Sequence, residues 1–354
     1  MIDSVRSSIA ELLRGDDKGG GEDGQRILLQ LGNPGLVLQR LLPMQPEDKG
    51  GATEHPYAQH VAAIASWSVP ADYREAYVRW LNLLERARQL RMLDATATGP
   101  VAVGLGIASP IENGLALHYT YGVPFLPGSA LKGLARRMAQ QMDLPEEDQR
   151  VLFGGVEQAG HLVFWDAWLD PDTAAPTPFA RDVVTPHHPG YYRTRGERPP
   201  TDFDDPKPAP FLSVRPGARF TVAVSSESAG SGPWVELALN LLEEGLVHMG
   251  VGGKTNAGYG YFKVRRRMTA AEARVAEEKR RQALDKYGPE IDRIQQAAHL
   301  SIAENLLREL GKEEPEVRVA ALRRLREQMI QKSLWDEQDR RVRKLQEMLE
   351  EADG

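Results

Sequence analysis

The chain has 354 residues, 41% of them hydrophobic and 27% charged, a globular balance sufficient for one large domain or two ordinary ones. Its 44 Lys and Arg against 50 Asp and Glu leave a net charge of −6, which argues against coating nucleic acid with the whole surface yet leaves room for a local basic groove. With no cysteine, disulfides, thiolate zinc sites and a cysteine nucleophile are excluded; with no apolar run of about 18 residues and no secretory h-region, an intracellular protein without a membrane span is expected.

In chain order, a short helix is expected over 3–13 and a mobile linker over 15–25, "GDDKGGGEDGQ", closing a first segment at residue 25. Residues 34–42 and 70–91 carry helical spacing, the latter through Tyr73, Tyr77, Trp80, Leu81 and Leu84. The period then becomes two. Val101, Val103, Leu105 and Ile107 alternate with small residues, and Leu115, Leu117, Tyr119 and Tyr121 repeat the pattern, so both read as strands. Pro127-Gly128 ends the strand, Ser129 is a candidate N-cap, and Leu131, Leu134, Ala135 and Met138 form the stripe of a helix. Strands are expected at 161–170 and 218–227, flanking a proline-rich insertion at about 171–210. A helix over 232–250 shows an apolar stripe of Trp234, Leu237, Ala238 and Leu241, and "YGYFKVRRR" is the last strand.

Strand, helix, strand, insertion, strand, helix, strand is the βαββαβ order of an α+β ferredoxin-like core, here spanning 26–267. Thr269 and Glu272 form a T-x-x-E capping box that opens a tail, 268–354, with 17 Lys/Arg and 19 Asp/Glu. Breaks at Pro289 and Pro315 suggest about three helices in a small bundle suited to protein contact.

The loop "MGVGGKTNAGYGYF" (249–262) contains a Gly-Gly-Lys-Thr like the end of a nucleotide-binding P-loop. That motif needs its first glycine where this chain has His248, and it needs a strand before and a helix after, the reverse of the order here. An ATPase is therefore disfavoured. Gly250 suits a helix C′ position; Gly252, Gly253, Gly258 and Gly260 are expected to let a ligand backbone approach, with Lys254, Thr255 and Asn256 supplying charge and donors. Tyr259 and Tyr261 alternate with Gly260 and Phe262, so they are expected on an open sheet face with Lys263 and Arg265, able to stack bases.

"ENGLALHYTYGVPFLPGSALKGLAR" (112–136) resembles the opening of the core in RAMP-superfamily proteins of CRISPR effector complexes, and the glycine loop is similar to that family's own. "NPGLVLQRLLP", "RDVVTPHHPGYY" and "PAPFLSVRPGARF" resemble the sixth-subunit family of the type III-B, or Cmr, complex, over roughly 26–266. The resemblance implies a non-catalytic subunit; no metal or cofactor site is expected, because adjacent His187 and His188 point in different directions if extended and no carboxylate stands at a standard ligand spacing. Its partners would be the 3′ part of the guide RNA, the target RNA, the RAMP backbone subunits and the small helical subunit, and the 171–210 insertion would include a thumb-like hairpin. Lys132 and Arg136, one turn apart beside a helix start, are candidate phosphate ligands, as are His187, His188, Tyr191, Tyr192 and Arg193 in the insertion, where basic and aromatic residues interleave. The alternative the family allows is an endoribonuclease acting on CRISPR RNA, with His118, Asp166 or Asp182 as the groups to test.

Overall fold

The structure, a computed structural model, describes residues 33–40, 57–109, 111, 113–173, 177–185, 188–201 and 208–353. The helix and linker expected before residue 26 lie outside these, as does His187. The chain forms two compact units, Met1–Arg267 and Met268–Gly354.

In the first unit α1 (Pro34–Arg40), α2 (Ala58–Ala65) and α3 (Ala71–Leu84) precede β1 (Gln89–Ala97). Then come β2 (Phe125–Leu126), α4 (Gly128–Gln141), α5 (Glu146–Phe153), β3 (Val163–Phe164) and β4 (Ala167–Leu169). The insertion contributes β5 (Phe179–Val184), the short α6 (Pro189–Arg193) and β6 (Ala209–Val214), and β7 (Arg219–Ser226), α7 (Gly232–His248) and β8 (Phe262–Arg267) complete the unit. The main sheet runs β2-β4-β7-β1-β8 with antiparallel pairing, β3 adding to β7, while β5 and β6 form a separate two-stranded sheet.

The first core strand is 89–97, which the helical reading of 70–91 had partly absorbed; the helix stops at Leu84. The alternating segment 101–107 is no ladder strand. Its buried Val101, Ala102 and Val103 are extended, and its backbone bonds go to several different elements. Leu117 makes only an isolated bridge to Pro124. Period-two patterning reports an extended chain with alternating burial, and several partners satisfy it as well as one.

α4 and α7 cover one face of the sheet. α4 buries Leu131, Leu134, Ala135 and Ala139; α7 buries Ala238 and Leu241 of the expected stripe together with Val235, Leu239, Leu242 and Leu246, with Trp234 and Leu237 at its margin. A Cβ on Gly245 would meet Leu134 at 2.8 Å, so the glycine sets how closely the two helices cross. Ion pairs from Arg91 to Glu236 and from Arg266 to Glu236 and Glu243 tie α7 to β1 and β8.

The opposite face is partly roofed by α3. Cross-strand register places Trp168, Thr221, Asp94 and Arg265 in one row across β4, β7, β1 and β8. Over its left half Trp80 stacks on Trp168 (5.3 Å, 6°), Tyr73 stacks at 5.8 Å and donates to the Leu169 carbonyl, and the Tyr77 hydroxyl lies 2.6 Å from Thr221 Oγ1. The expected open face is thus open only toward β8, an edge strand whose Lys263 and Arg265 remain exposed.

The second unit has four helices among its described residues, α8 (Ala270–Asp292), α9 (Leu300–Leu310), α10 (Pro315–Gln331) and α11 (Arg340–Asp353), around a core including Ile291, Leu306, Leu310, Leu322, Leu325 and Leu345. The capping box is formed: Glu272 N donates to Thr269 Oγ1 and Thr269 N to the Glu272 carboxylate. Pro289 sits inside α8 rather than ending it. So near the helix end the missing N–H removes one bond without stopping the helix, whereas Pro315 opens α10 at its first turn. Among the described residues no helix is long and apolar enough to cross a membrane.

Candidate nucleic-acid interface

The glycine loop links α7 to β8, as its sequence context requires, and wraps the extended segment 98–105. Gly253 N donates to Ala102 O (2.7 Å), Gly260 N to Pro100 O (2.8 Å) and Thr98 N to Tyr261 O (2.9 Å). On its other side the segment exchanges bonds with β6 through Val101 and Val214. Most of the glycines serve this self-packing. A Cβ on Gly252 would lie 2.6 Å from Ala102 O, and on Gly260 2.1 Å from Val251 O, both at positive φ. Gly253 abuts Leu105, and Gly250, at positive φ, ends α7 by donating to Gly245 O. Only Gly258 among the loop's glycines has open space where a side chain would go. The close approach read from the sequence is mainly the chain's approach to itself.

What the loop offers outward is its tip. Lys254 adopts the left-handed conformation (φ 60°) and starts a single 3-10 turn, Thr255–Ala257. Among the described residues the amides of Lys254, Thr255 and Asn256 donate to no protein acceptor. The Lys254 ammonium lies 5.3 Å from the centre of the Phe211 ring on β6. Tyr259, whose ring lies 6.4 Å from Phe211, donates its hydroxyl to Asp182 on β5. Burial, then the Asp182 carboxylate, pushes the Tyr259 hydroxyl up to about 12. Tyr259 is therefore a tie between the loop and the insertion rather than a free stacking ring, and Asp182 is committed to it. Tyr261 is half-exposed, its carbonyl held by Thr98.

A second cluster surrounds the start of α4. Ser129 is not the cap; Pro127 occupies that position, and the Asp166 carboxylate accepts from Gly128 N at 2.7 Å. Gly128 is needed because a Cβ there would lie 2.1 Å from Phe164 O, so the helix starts against β3. Lys132 is half-exposed with no acidic partner among the described residues. Arg136 is occupied: its guanidinium donates to Phe153 O and Gly154 O at the end of α5 and covers the Phe153 ring at 5.6 Å. Arg136→Ala is expected to cost about 1–3 kcal/mol through the lost charged hydrogen bonds, a fall in Tm of roughly 3–8 °C, with RNA affinity unchanged. Weakened RNA binding at unchanged Tm would restore the phosphate role.

In the insertion, Tyr192 is 69% exposed and packs edge-on against Tyr191 at 5.5 Å, a pair open to solvent at the start of a one-turn helix. His188 immediately precedes that helix, and Arg193 closes it. α2 packs on β5 and β6, with Trp67 6.1 Å from Phe179, so the insertion's base is anchored by the N-terminal helices. His118 packs between Tyr121 (5.1 Å) and Trp168 (4.8 Å), its buried Nδ1 has no hydrogen-bond partner among the described residues, and burial lowers its basicity. The turn that carries His118 is held by Asn33, whose amide donates to Tyr119 O and Thr120 O. Among the described residues no three His, Asp or Glu side chains gather as metal ligands.

The family model of the RAMP superfamily matches residues 94–263, from the last half of β1 through the glycine loop into β8. That segment, just under half of the chain, carries the likeness to the RAMP superfamily. It is 28% identical over 248 residues to the CRISPR system Cmr subunit Cmr6 of Pyrococcus furiosus, covering 53% of this chain and 72% of that one. Among solved structures, a chain of the type III-B Cmr-beta complex bound to cognate target RNA superposes with a TM-score of 0.50 at 16% identity, over 76% of this chain and all of that one. Crystalline Cmr6 from Pyrococcus furiosus matches 51% of this chain and 98% of its own at 25% identity, with a TM-score of 0.35. The residues that the sequence did not single out are Pro100, Ala102 and Phe211; Asp182, read there only as an acid to test, is engaged by Tyr259. Each contributes through a contact distant in sequence.

Proposed function

We propose that this chain is a Cmr6-like, non-catalytic subunit of a type III-B CRISPR complex that holds guide and target RNA and docks neighbouring RAMP and small helical subunits. Its core is ferredoxin-like: the strand order β4-β7-β1-β8, with α4 and α7 on one face, supports that assignment. The observation that carries the reading is the loop tip, where Lys254 and the amides of 254–256, which have no protein acceptor among the described residues, stand beside the anchored root of the insertion. A cation with adjacent amide donors suits phosphodiester oxygens. Tyr259 and Asp182 join loop and insertion at their bases, and the exposed Tyr191 and Tyr192 offer stacking surfaces on the insertion. Lys132, half-exposed beside the start of α4, is the further phosphate contact of the interface.

The test is RNA affinity of the full chain across a salt series, using a single-stranded guide-type RNA. Lys254→Ala is expected to weaken binding about three- to tenfold at low salt and to reduce the salt slope by about 0.7, the value for one phosphate contact on a single strand. Unchanged affinity and slope would count directly against the reading. The rival is an endoribonuclease, which the unpartnered Nδ1 of His118 favours. Against it stand the lowered basicity of His118 and the structural engagement of Asp166 and Asp182. Incubation with repeat RNA, with and without magnesium, is expected to leave it intact; discrete cleavage abolished by His118→Ala would establish the rival.

A further inference from the structure

The helical unit 268–354 is nearly neutral overall, yet its cations are not evenly spread. Between α9 and the start of α11 lies a cleft of about 340 Å³ lined by Arg308, Arg340, Arg341 and Lys344, with Glu304 and Asp339 as its acids and Leu307 at its floor. Asp339 is already used. It accepts from Arg341 N at 2.7 Å and from the Arg341 guanidinium at 2.6 and 2.9 Å, and that guanidinium holds the carboxyl down at about 2. Among the described residues Arg308, Arg340 and Lys344 have no acidic partner.

The placement of these cations runs against the stability of the helix. Arg340 and Arg341 occupy the first turn of α11, which contains no acid, and Lys344 follows one turn later on the Arg340 side. Cations at a helix N-terminus oppose its dipole. A local rule broken without a compensating contact marks a functional surface. The helix end itself is capped by Asp339, so the ligand-seeking groups are the side chains, not the amides.

We propose that this cleft binds an RNA phosphodiester, giving the chain a second nucleic-acid contact on its helical unit. The guanidinium groups of Arg308 and Arg340 and the Lys344 ammonium take the phosphate oxygens. Glu304, exposed on the same wall, accepts a ribose 2′-hydroxyl. A nucleotide brings the anion for these cations and, in its ribose 2′-hydroxyl, a donor for Glu304. The choice of RNA as ligand rests on the function proposed above; the geometry of the cleft does not.

The experiment compares full-length wild type, Arg308→Ala/Arg340→Ala/Lys344→Ala, Lys344→Ala alone and Lys254→Ala for binding of a labelled single-stranded RNA across a salt series. The three residues of the triple variant are exposed, so unchanged thermal unfolding is expected. The triple variant should bind about tenfold more weakly at low salt, with the slope reduced by roughly 1.4–2 for two to three lost contacts, and Lys344→Ala should show about a third of that reduction. Wild-type affinity in the triple variant overturns the cleft alone, if Lys254→Ala still weakens binding. The converse pattern upholds the cleft and removes the glycine-loop reading. Failure of wild type to bind RNA at all overturns both. Competition by polyglutamate as effective as by RNA of equal length would make the cleft an acidic-peptide site and overturn the RNA assignment.

Discussion

Gly260→Ala is expected to lower the thermal unfolding midpoint of the unit Met1–Arg267 by about 6–15 °C, corresponding to roughly 3–5 kcal/mol in a domain of this size. Two effects add. Gly260 has φ 78°, where an L side chain costs about 1–2 kcal/mol. Its Cβ would also lie 2.1 Å from Val251 O and 3.0 Å from the Val251 carbonyl carbon, backbone atoms that cannot swing aside. The residue is buried, and its own amide donates to Pro100 O while its carbonyl accepts from Val251 N. Relief of the clash therefore breaks two bonds that seat the loop on segment 98–105. Gly258→Ala is the matched control: φ is 86°, but nothing stands within 4 Å of the new Cβ, so the expected cost is about 1–2 kcal/mol from the backbone alone. Calorimetry or circular dichroism on the pair decides the matter. Equal midpoints for the two variants would show that self-packing does not explain Gly260.

Asp94→Ala is the second large effect, about 3 kcal/mol of destabilisation. Asp94 is buried in the middle of β1, accepting from Arg267 at 3.1 Å and from the Thr221 hydroxyl at 3.4 Å, with Arg265 at 3.5 Å. Arg267 is half-buried and also donates to Thr221 and Tyr77, so removing the carboxylate strands a guanidinium under α3. Leaving one partner of a buried ion pair costs more than the pair contributed. Arg265 is largely exposed, and its share is small. A urea unfolding series should show the midpoint fall for Asp94→Ala and a smaller fall for Asp94→Asn, which keeps an acceptor. An Asp94→Ala midpoint within error of wild type would mean that Arg267 finds water as readily as a carboxylate.

Much of the scaffold was legible because it is local. The stripe of α4, the T-x-x-E cap of α8 and the alternation of β7 each follow from residues within a few positions of one another. So does the order of elements around the glycine loop, helix before and strand after, which is incompatible with a P-loop. The misreadings share a cause. Segment 101–107 has strand patterning, yet its hydrogen bonds are divided among the glycine loop, β6 and residues 114–116. Gln89–Ala97, the true central strand, follows an amphipathic helix so closely that one helical period seemed to run through both.

The candidate site divides the same way. That Lys254 sits in a glycine-rich turn after a helix was readable from "GVGGKTNAG". That Arg136 caps α5, that Asp166 caps α4 and that Tyr259 is tied to Asp182 were not, because partners 17 to 77 residues apart leave no periodic trace. The sequence by itself determined the family resemblance, the glycines and the charges available to a polyanion. Only the tertiary structure decided which of those charges are already spent on the protein's own carbonyls and carboxylates, and which, like Lys254 and Lys132, face outward; hydrogen-bond partnership is settled by distance in space, not in sequence.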